Sequence, residues 1–325
     1  MTIIKSVAVS VLSGYLGIAG LAQVAQAADS YPDKPITIIV PFPPGGNIDL
    51  SARVIAPSLS EALGRPVTIE NRPGAGGTIG AAMVTKSKPD GYTLLVAGST
   101  VSIAPFIYKN VPYDPTKDFT PIGGIQTVPM VLTAAAQLPV SNLADLRNYA
   151  KTHNITVGTA GNGSSPHFAL EQIVRQAKLP LSHVPYRGSA PALTDLLGGH
   201  VDMMVDQLNS SLPSIRDKRI KVIAQLGKQR SALIPDEPTL AEQGVAGFDI
   251  VTYVGMFAPA GLPPEVQAKL TAALAKSLAR PDVKKLFYEM GATVFEMDQK
   301  KFVAFVHADI DNSRTIAREL NIVIE

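Results

Sequence analysis

The stretch ITIIVPFPPGGNIDLSAR, residues 36–53, decides the fold. Ile36, Ile38, Ile39 and Val40 form a short β-branched run of the kind that suits a buried parallel strand. Pro41 ends it, and Pro43-Pro44-Gly45-Gly46 cannot readily continue a strand or a helix. Asn47 is a good N-cap, and Asp49 lies in the first turn of the helix that follows. A Gly-rich loop between the C-end of a strand and the N-end of a helix presents backbone N–H groups with no side chains in the way. Such a place binds anions.

Working outward, the first 27 residues read as a secretory signal. Lys5 is the only charge, Val7–Leu21 is apolar, and Ala25-Gln26-Ala27 fits a small-x-small cleavage site. The alternative, a membrane anchor, is disfavoured by Ser10, Ser13 and three glycines in a short apolar stretch. Taking residues 1–27 from the 325 leaves 298, enough for two domains that each bury a core. The formal charge of +2 falls to +1 on losing Lys5. That balance gives no reason to expect nucleic acid or a membrane surface as partner. With no cysteine there is no disulfide, thiolate metal site or Cys nucleophile. The five histidines show no metal spacing, so neither a metal nor another cofactor is expected.

Strand-like and helix-like segments then alternate. Val67–Glu70 and Thr93–Ala97 read as strands around a helix Thr78–Lys86. After Pro121 the pattern restarts with strand Met130–Thr133, helix Asn142–Thr152, strand Ile155–Gly158 and helix Pro166–Gln176. Ser165 at the N-cap and Pro166 at N1 mark that last start. Strand His183–Tyr186, helix Ala190–Leu197 and strands Val201–Val205 and Val222–Ala224 follow. Pro213 limits any helix over Ser211–Arg216 to a first turn. Phe248–Ala258 is one extended segment, and helices over Glu265–Leu278, Pro281–Met290 and Asp298–Leu320 close the chain. Such alternation predicts an α/β fold with parallel sheets flanked by helices. Segments near Pro121–Val131 and Asp249–Ala258 are the expected crossovers between two lobes, with a ligand cleft between them at the strand C-ends. The expected division is residues 28–128 together with 251–325 in one lobe, and 129–250 in the other.

Four loops share the design of the first: Pro43–Asn47, Gly98–Val101, Thr159–Ser165 and Tyr186–Ser189. Each follows an expected strand and carries Gly with Ser, Thr or Asn. Two in each lobe would offer N–H and O–H donors to both ends of a small dianion. Any one of them has a plainer reading, since such loops often carry Gly and Ser for capping alone. Arg187 could grip a carboxylate or simply face solvent. His167 could donate to a ligand or cap its helix. Asp49 and Arg53 read as an i,i+4 pair. Asp206, at a strand's C-end, could accept from a ligand or hold a loop. Gly-x-Ser-x-Gly and P-loop motifs are missing, so no catalytic set is assigned.

The segments YPDKPITIIVPFPPGG, ENRPGAGGTIGA, SKPDGYTLL, HVPYRGSAPALTDLLGGHVD, DEPTLAEQG and FAPAGLPPEV resemble, in order, the Bug-type solute receptors of tripartite tricarboxylate transporters. The likeness runs through essentially the whole mature chain. It implies a periplasmic receptor of the two-domain Venus-flytrap kind, passing a small organic acid to a membrane permease; the chain is expected to be a monomer. Carried over by position, the ligand-gripping residues are Phe42, Pro43, Pro44, Gly45, Gly46, Ser99, Thr100, Ala160, Gly161, Ser164, Ser165, His167, Tyr186, Arg187 and Gly188, with Asp206 at the pocket edge. This chain departs from the usual pattern in having Ile48 for a small hydroxyl residue, Tyr253 for Trp, and Gln207 for Asn. Competing classes are a ligand-presenting sensor and a periplasmic hydrolase or isomerase.

Overall fold

The computed structural model describes residues 31–320, so the expected signal segment lies outside the described residues. Strand β1 (Ile36–Val40) pairs in parallel with β2 (Val67–Asn71) on one side and β3 (Thr93–Ala97) on the other. The strand order therefore reverses at β1, which opens a crevice at the C-ends of β1 and β3. Helix α1 (Asn47–Leu63) covers one face and α2 (Thr78–Thr85) the other. The alternation of strand side chains explains why. Ile36, Ile38 and Val40 pack with Ala52, Ile55 and Leu59 of α1, whereas Ile39 packs with Ala81 and Val84 of α2. A one-turn helix α3 (Thr100–Ile103) follows β3.

The second half repeats the plan. Strand β5 (Ile155–Thr159) lies in parallel between β6 (Leu181–Pro185) and β7 (Met203–Gln207). Helices α4 (Leu143–Tyr149), α5 (Ser165–Ala177), α6 (Ser189–Gly198) and α7 (Leu208–Arg216) surround these strands, and β8 (Ile220–Gln225) completes the set. The chain returns through β9 (Val251–Pro259) and finishes with α8 (Pro264–Ala279), α9 (Pro281–Glu289), the short β10 (Thr293–Val294) and α10 (Gln299–Leu320).

One strand belongs to both halves. β4 (Phe119–Ala135) pairs with β9 along Phe119–Pro129, then with β7 and β8 along Met130–Ala135. The sequence reading saw only Met130–Thr133 as strand, because Pro121, Gly123, Gly124 and Pro129 look like breakers. All four keep partners on β9, and register shifts at Pro121/Gly123 and Gly124/Gln126 leave Ile122 and Ile125 unpaired, so the strand bends around them without ending. Helix α7 is also longer than expected. Pro213 is its sixth residue and removes one internal bond, yet Leu208 and Leu212 are buried in the main core and hold the helix through it. The α/β two-lobe architecture expected from the sequence is thus what the chain adopts.

The lobes meet beyond the shared strand. The Tyr108 hydroxyl donates to Asn162 O at 2.6 Å, and Arg175 donates to Glu319 O at 2.7 Å. Ile103, Ile107, Phe168 and Ala317 form a small apolar cluster over the same seam. The cleft is shut.

Candidate functional site

The first loop is pinned from beneath. Asp49, the third residue of α1 and 1% exposed, accepts from Gly45 N–H at 2.9 Å, from both Arg53 Nε (2.8 Å) and NH2 (2.9 Å), and from Asn71 Nδ2 at 2.9 Å. Burial opposes its charge, but these bonds outweigh that and hold its carboxyl below the usual range. Asn71 also donates to Phe42 O at 2.9 Å. The loop is fixed at both ends, and the pairing of Asp49 with Arg53 is structural, as its spacing suggests.

The third loop is capped one residue earlier than the sequence reading has it. Ser164, not Ser165, is the N-cap of α5: its Oγ accepts from His167 N and donates to Gly161 O at 2.7 Å. In the run Ser164-Ser165-Pro166, proline fits N2 as readily as N1, since both N–H groups are orphans of the first turn. Ser165 is thereby released from capping, and its side chain borders the cavity.

That cavity lies where the N-terminal ends of α1, α3, α5, α6 and α7 meet. Phe42, Gly46, Thr100, Ala160, Ser164 and Ser165 of the expected set line it. Asn47, Ile48, Ser189, Gln207, Thr252 and Tyr253 complete most of the wall. No Lys, Arg, Asp or Glu is among the described residues that line it. Counted as room for the centre of a water molecule, its volume is ≈ 30 Å3. So narrow a space requires the lobes to part before a multi-carbon solute enters.

Other expected residues sit outside this wall. Pro43, Pro44 and Gly45 form the outer turn of the first loop. Ser99 faces an adjoining cavity of ≈ 310 Å3 that also touches Ser165, Gln172 and Asp309. Gly161, within the third loop, and His167, behind it on α5, do not line the first cavity. Tyr186 donates its hydroxyl to Asp195 at 2.7 Å, Gly188 abuts Pro43, and Arg187 is exposed. Replacing Arg187 with Ala should therefore change ligand affinity by no more than about 0.5 kcal/mol, the range of an ordinary surface substitution. Calorimetry on that variant checks this, and a hundredfold loss would place the guanidinium on the ligand after all.

Asp206 is fully buried and accepts from Ser189 Oγ at 2.7 Å and Ser211 Oγ at 2.9 Å. It ties α6 to α7 rather than bordering the cavity. Burial pushes its carboxyl up to about 6, against the pull of the two serines and the Gln207 N–H. Between pH 4 and 6 the unfolded chain releases this proton while the folded one keeps it. The contribution to stability is thus full below pH 4 and lost as the pH rises through 6. Relative to Asp206→Asn, the parent should lose up to about 3 kcal/mol between pH 4 and 7. Urea melts at both pH values test this, and parallel behaviour of the two proteins would refute it.

Sequence reasoning missed a buried amide cluster at the cavity floor. Asn47 Oδ1 accepts from Gln126 Nε2 at 2.7 Å and from Asn209 Nδ2 at 2.6 Å. Gln126 lies on β4 and Asn209 on α7, so the cluster joins α1, the shared strand and the second lobe. Asn47 Nδ2 is buried without a partner. Tyr253, at the other wall, points its hydroxyl to Asp309 Oδ2 at 3.3 Å.

Among the described residues no group of side chains is suited to hold a metal ion, and no helix is long and apolar enough to cross a membrane. Comparison with known proteins identifies the family. Residues 51–322 match the model of the tripartite tricarboxylate transporter family receptor. Protein BugT of Bordetella pertussis is 34% identical over 314 residues, covering 95% of this chain and 96% of its own. The structure of the periplasmic binding protein BugD superposes with a TM-score of 0.87 at 35% identity, over 91% of this chain and 100% of that one. MatC of Rhodopseudomonas palustris, solved with bound malate, does so with a TM-score of 0.82 at 33% identity, over 88% and 99%. This chain belongs to the tripartite tricarboxylate transporter receptor family: it is a periplasmic solute-binding receptor that serves a membrane transporter, and not an enzyme.

Proposed function

We propose that the receptor captures a small organic acid whose carboxylate sits against the helix N-termini at the cavity floor. The observation that carries this is a largely apolar wall, with Phe42, Ile48 and Pro166 in it, into which hydroxyl and amide groups but no cation are set, together with the unpartnered buried Asn47 Nδ2. Hydrogen bonds to a charged group contribute about 1.5–3 kcal/mol each, and a helix terminus about 0.3–1. Three or four such contacts reach the roughly 8 kcal/mol of micromolar binding without an ion pair. The malate seen in the related MatC has this chemistry.

In this reading residues 28–128 and 251–325 form one lobe and 129–250 the other, moving as bodies about β4 and β9. The chain acts as a monomer, is processed after Ala27, and delivers its acid to a permease of the tripartite tricarboxylate type. N-terminal sequencing of the exported protein should begin at Ala28.

A thermal-shift panel of C3 to C6 mono- and dicarboxylates, with matched amides, amines and sugars, tests the ligand class. An acid at a thousand times its Kd should stabilise the fold by about 4 kcal/mol. If no acid raises the melting temperature while a neutral compound does, the assignment fails.

A further inference from the structure

Two imidazoles stand behind the third loop, outside the cavity wall. His167 is the third residue of α5 and His183 lies in β6. Their rings stack with centroids 4.2 Å apart and planes 13° from parallel. His167 Nδ1 accepts from Gly163 N–H at 3.1 Å. That nitrogen must carry no proton, so the neutral ring is protonated on Nε2, which faces Glu171 Oε1 at 3.6 Å. His183 Nε2 lies 2.7 Å from Thr159 Oγ1, and the same hydroxyl accepts from Gly161 N–H at 3.3 Å.

The loop presenting Ala160, Ser164 and Ser165 to the cavity is therefore anchored at alternate glycines by the two rings. Gly161 and Gly163 both have positive φ, +117° and +73°. No regular ladder holds them; these side-chain bonds set where the loop lies, together with Tyr108 on Asn162 O and Ser164 Oγ on Gly161 O. Among the described residues, the charged group that the rings face is Glu171, on the helix of His167; His183 and His167 face each other from β6 and α5.

We propose that His167, backed by His183, is a positioning residue that holds the cavity's third loop in place only while its ring is uncharged. A proton on Nδ1 replaces the acceptor of Gly163 N–H with a second donor, and the loop loses that anchor on α5 while the Ser164 cap remains. Burial, and then the neighbouring ring, push His183 down to about 4, against the pull of Glu171, so His183 backs the pair as an uncharged ring. The Glu171 carboxylate beside Nε2 receives the imidazolium that results.

The test needs no ligand, so it stands apart from the assignment of the solute. In 15N-labelled mature receptor, the ring nitrogens of His167 and the amides of Gly161 and Gly163 are followed from pH 8 to pH 5. Nδ1 should be unprotonated at pH 8. Both glycine amides should shift with the midpoint of the His167 ring, and their protection from hydrogen exchange, corrected for intrinsic rate, should fall at least tenfold across it. In His167→Asn, Oδ1 takes the place of Nδ1 as an acceptor that does not titrate, so protection should persist and become independent of pH within twofold. A protonated Nδ1 at pH 8, glycine shifts that ignore the ring, or an unchanged pH dependence in His167→Asn overturns the proposal. Should that variant not fold, the ring and amide titrations of the parent decide alone.

Discussion

Replacing Asn47 with Ala should weaken ligand binding more than any other single change in the cavity. Its Oδ1 is the shared acceptor for Gln126 and Asn209, and its own Nδ2 is the donor left over for a ligand. Truncation strands the buried amide of Asn209 on α7, at a cost of about 1–3 kcal/mol, leaves Gln126 on β4 with Ser51 Oγ as its one remaining acceptor, and removes a donor besides. A loss of at least a hundredfold in affinity is the expected result by calorimetry with the best acid from the panel. Asn209→Ala separates the parts. It breaks the 2.6 Å bond between the lobes but leaves Gln126 paired, so it should lower affinity about tenfold and leave the apo melting temperature nearly unchanged. Equal affinities for all three proteins would remove the amide cluster from the site.

Gly188→Val should abolish closure. Gly188 has φ +140° and ψ 170°, a region that is essentially reserved for glycine, and strain there amounts to roughly 1–3 kcal/mol. A Cβ at this position would also lie 2.8 Å from Pro43 Cδ, on the opposite side of the cleft. The first effect weakens the start of α6, and the second acts only when the lobes are shut. X-ray scattering should show a radius of gyration that ligand no longer reduces, with circular dichroism still reporting a folded chain. Gly46→Val is the milder comparison. A Cβ at Gly46 would meet Ser189 Cβ at 3.8 Å, an ordinary contact, so only the added γ-methyls intrude on the cavity. If Gly188→Val contracts with ligand as the parent does, the Pro43–Gly188 contact is not part of closure.

How much of this is legible in the sequence depends on the distance over which each feature is specified. The β1–loop–α1 unit is local: an Ile/Val run, a Pro/Gly turn and an Asn/Asp start fix it within about eighteen residues. The four cavity loops are readable for the same reason, because each is a strand end meeting a helix start, although Ser164 alone caps through its side chain and Gly46, not Asn47, holds the N-cap position of α1. The shared strand β4 is not readable, since its prolines and glycines argue against it locally and only the ladder with β9, more than a hundred residues on, overrides them. Ser164 and Ser165 differ by a single position that proline leaves open. The amide cluster is the extreme case. Gln126 and Asn209 lie 79 and 162 residues from Asn47, and neither belongs to a motif. Arg187 shows the opposite failure: a side chain suited to carboxylates draws attention in the sequence, but the turn before α6 leaves it in solvent.

The path of the chain through β4 and β9 also sets an order of events during synthesis. β9 lies between β3 and β4 in the sheet of the first lobe. Until residue 251 has been made, that sheet exists as two unjoined pieces with bare edges at β3 and β4, each an invitation to wrong pairing. The strands β5 to β8, by contrast, come from one uninterrupted run: β5 pairs with β6 and β7, and β7 and β8 pair with the final six residues of β4. The second lobe is the part that can mature first, and the contacts of the first that span its whole length form last and most slowly. A nascent receptor therefore carries an unfinished lobe at its leading end for most of its synthesis, and the ligand cleft, which needs both lobes, comes into being only when the last third of the polypeptide threads back into the first.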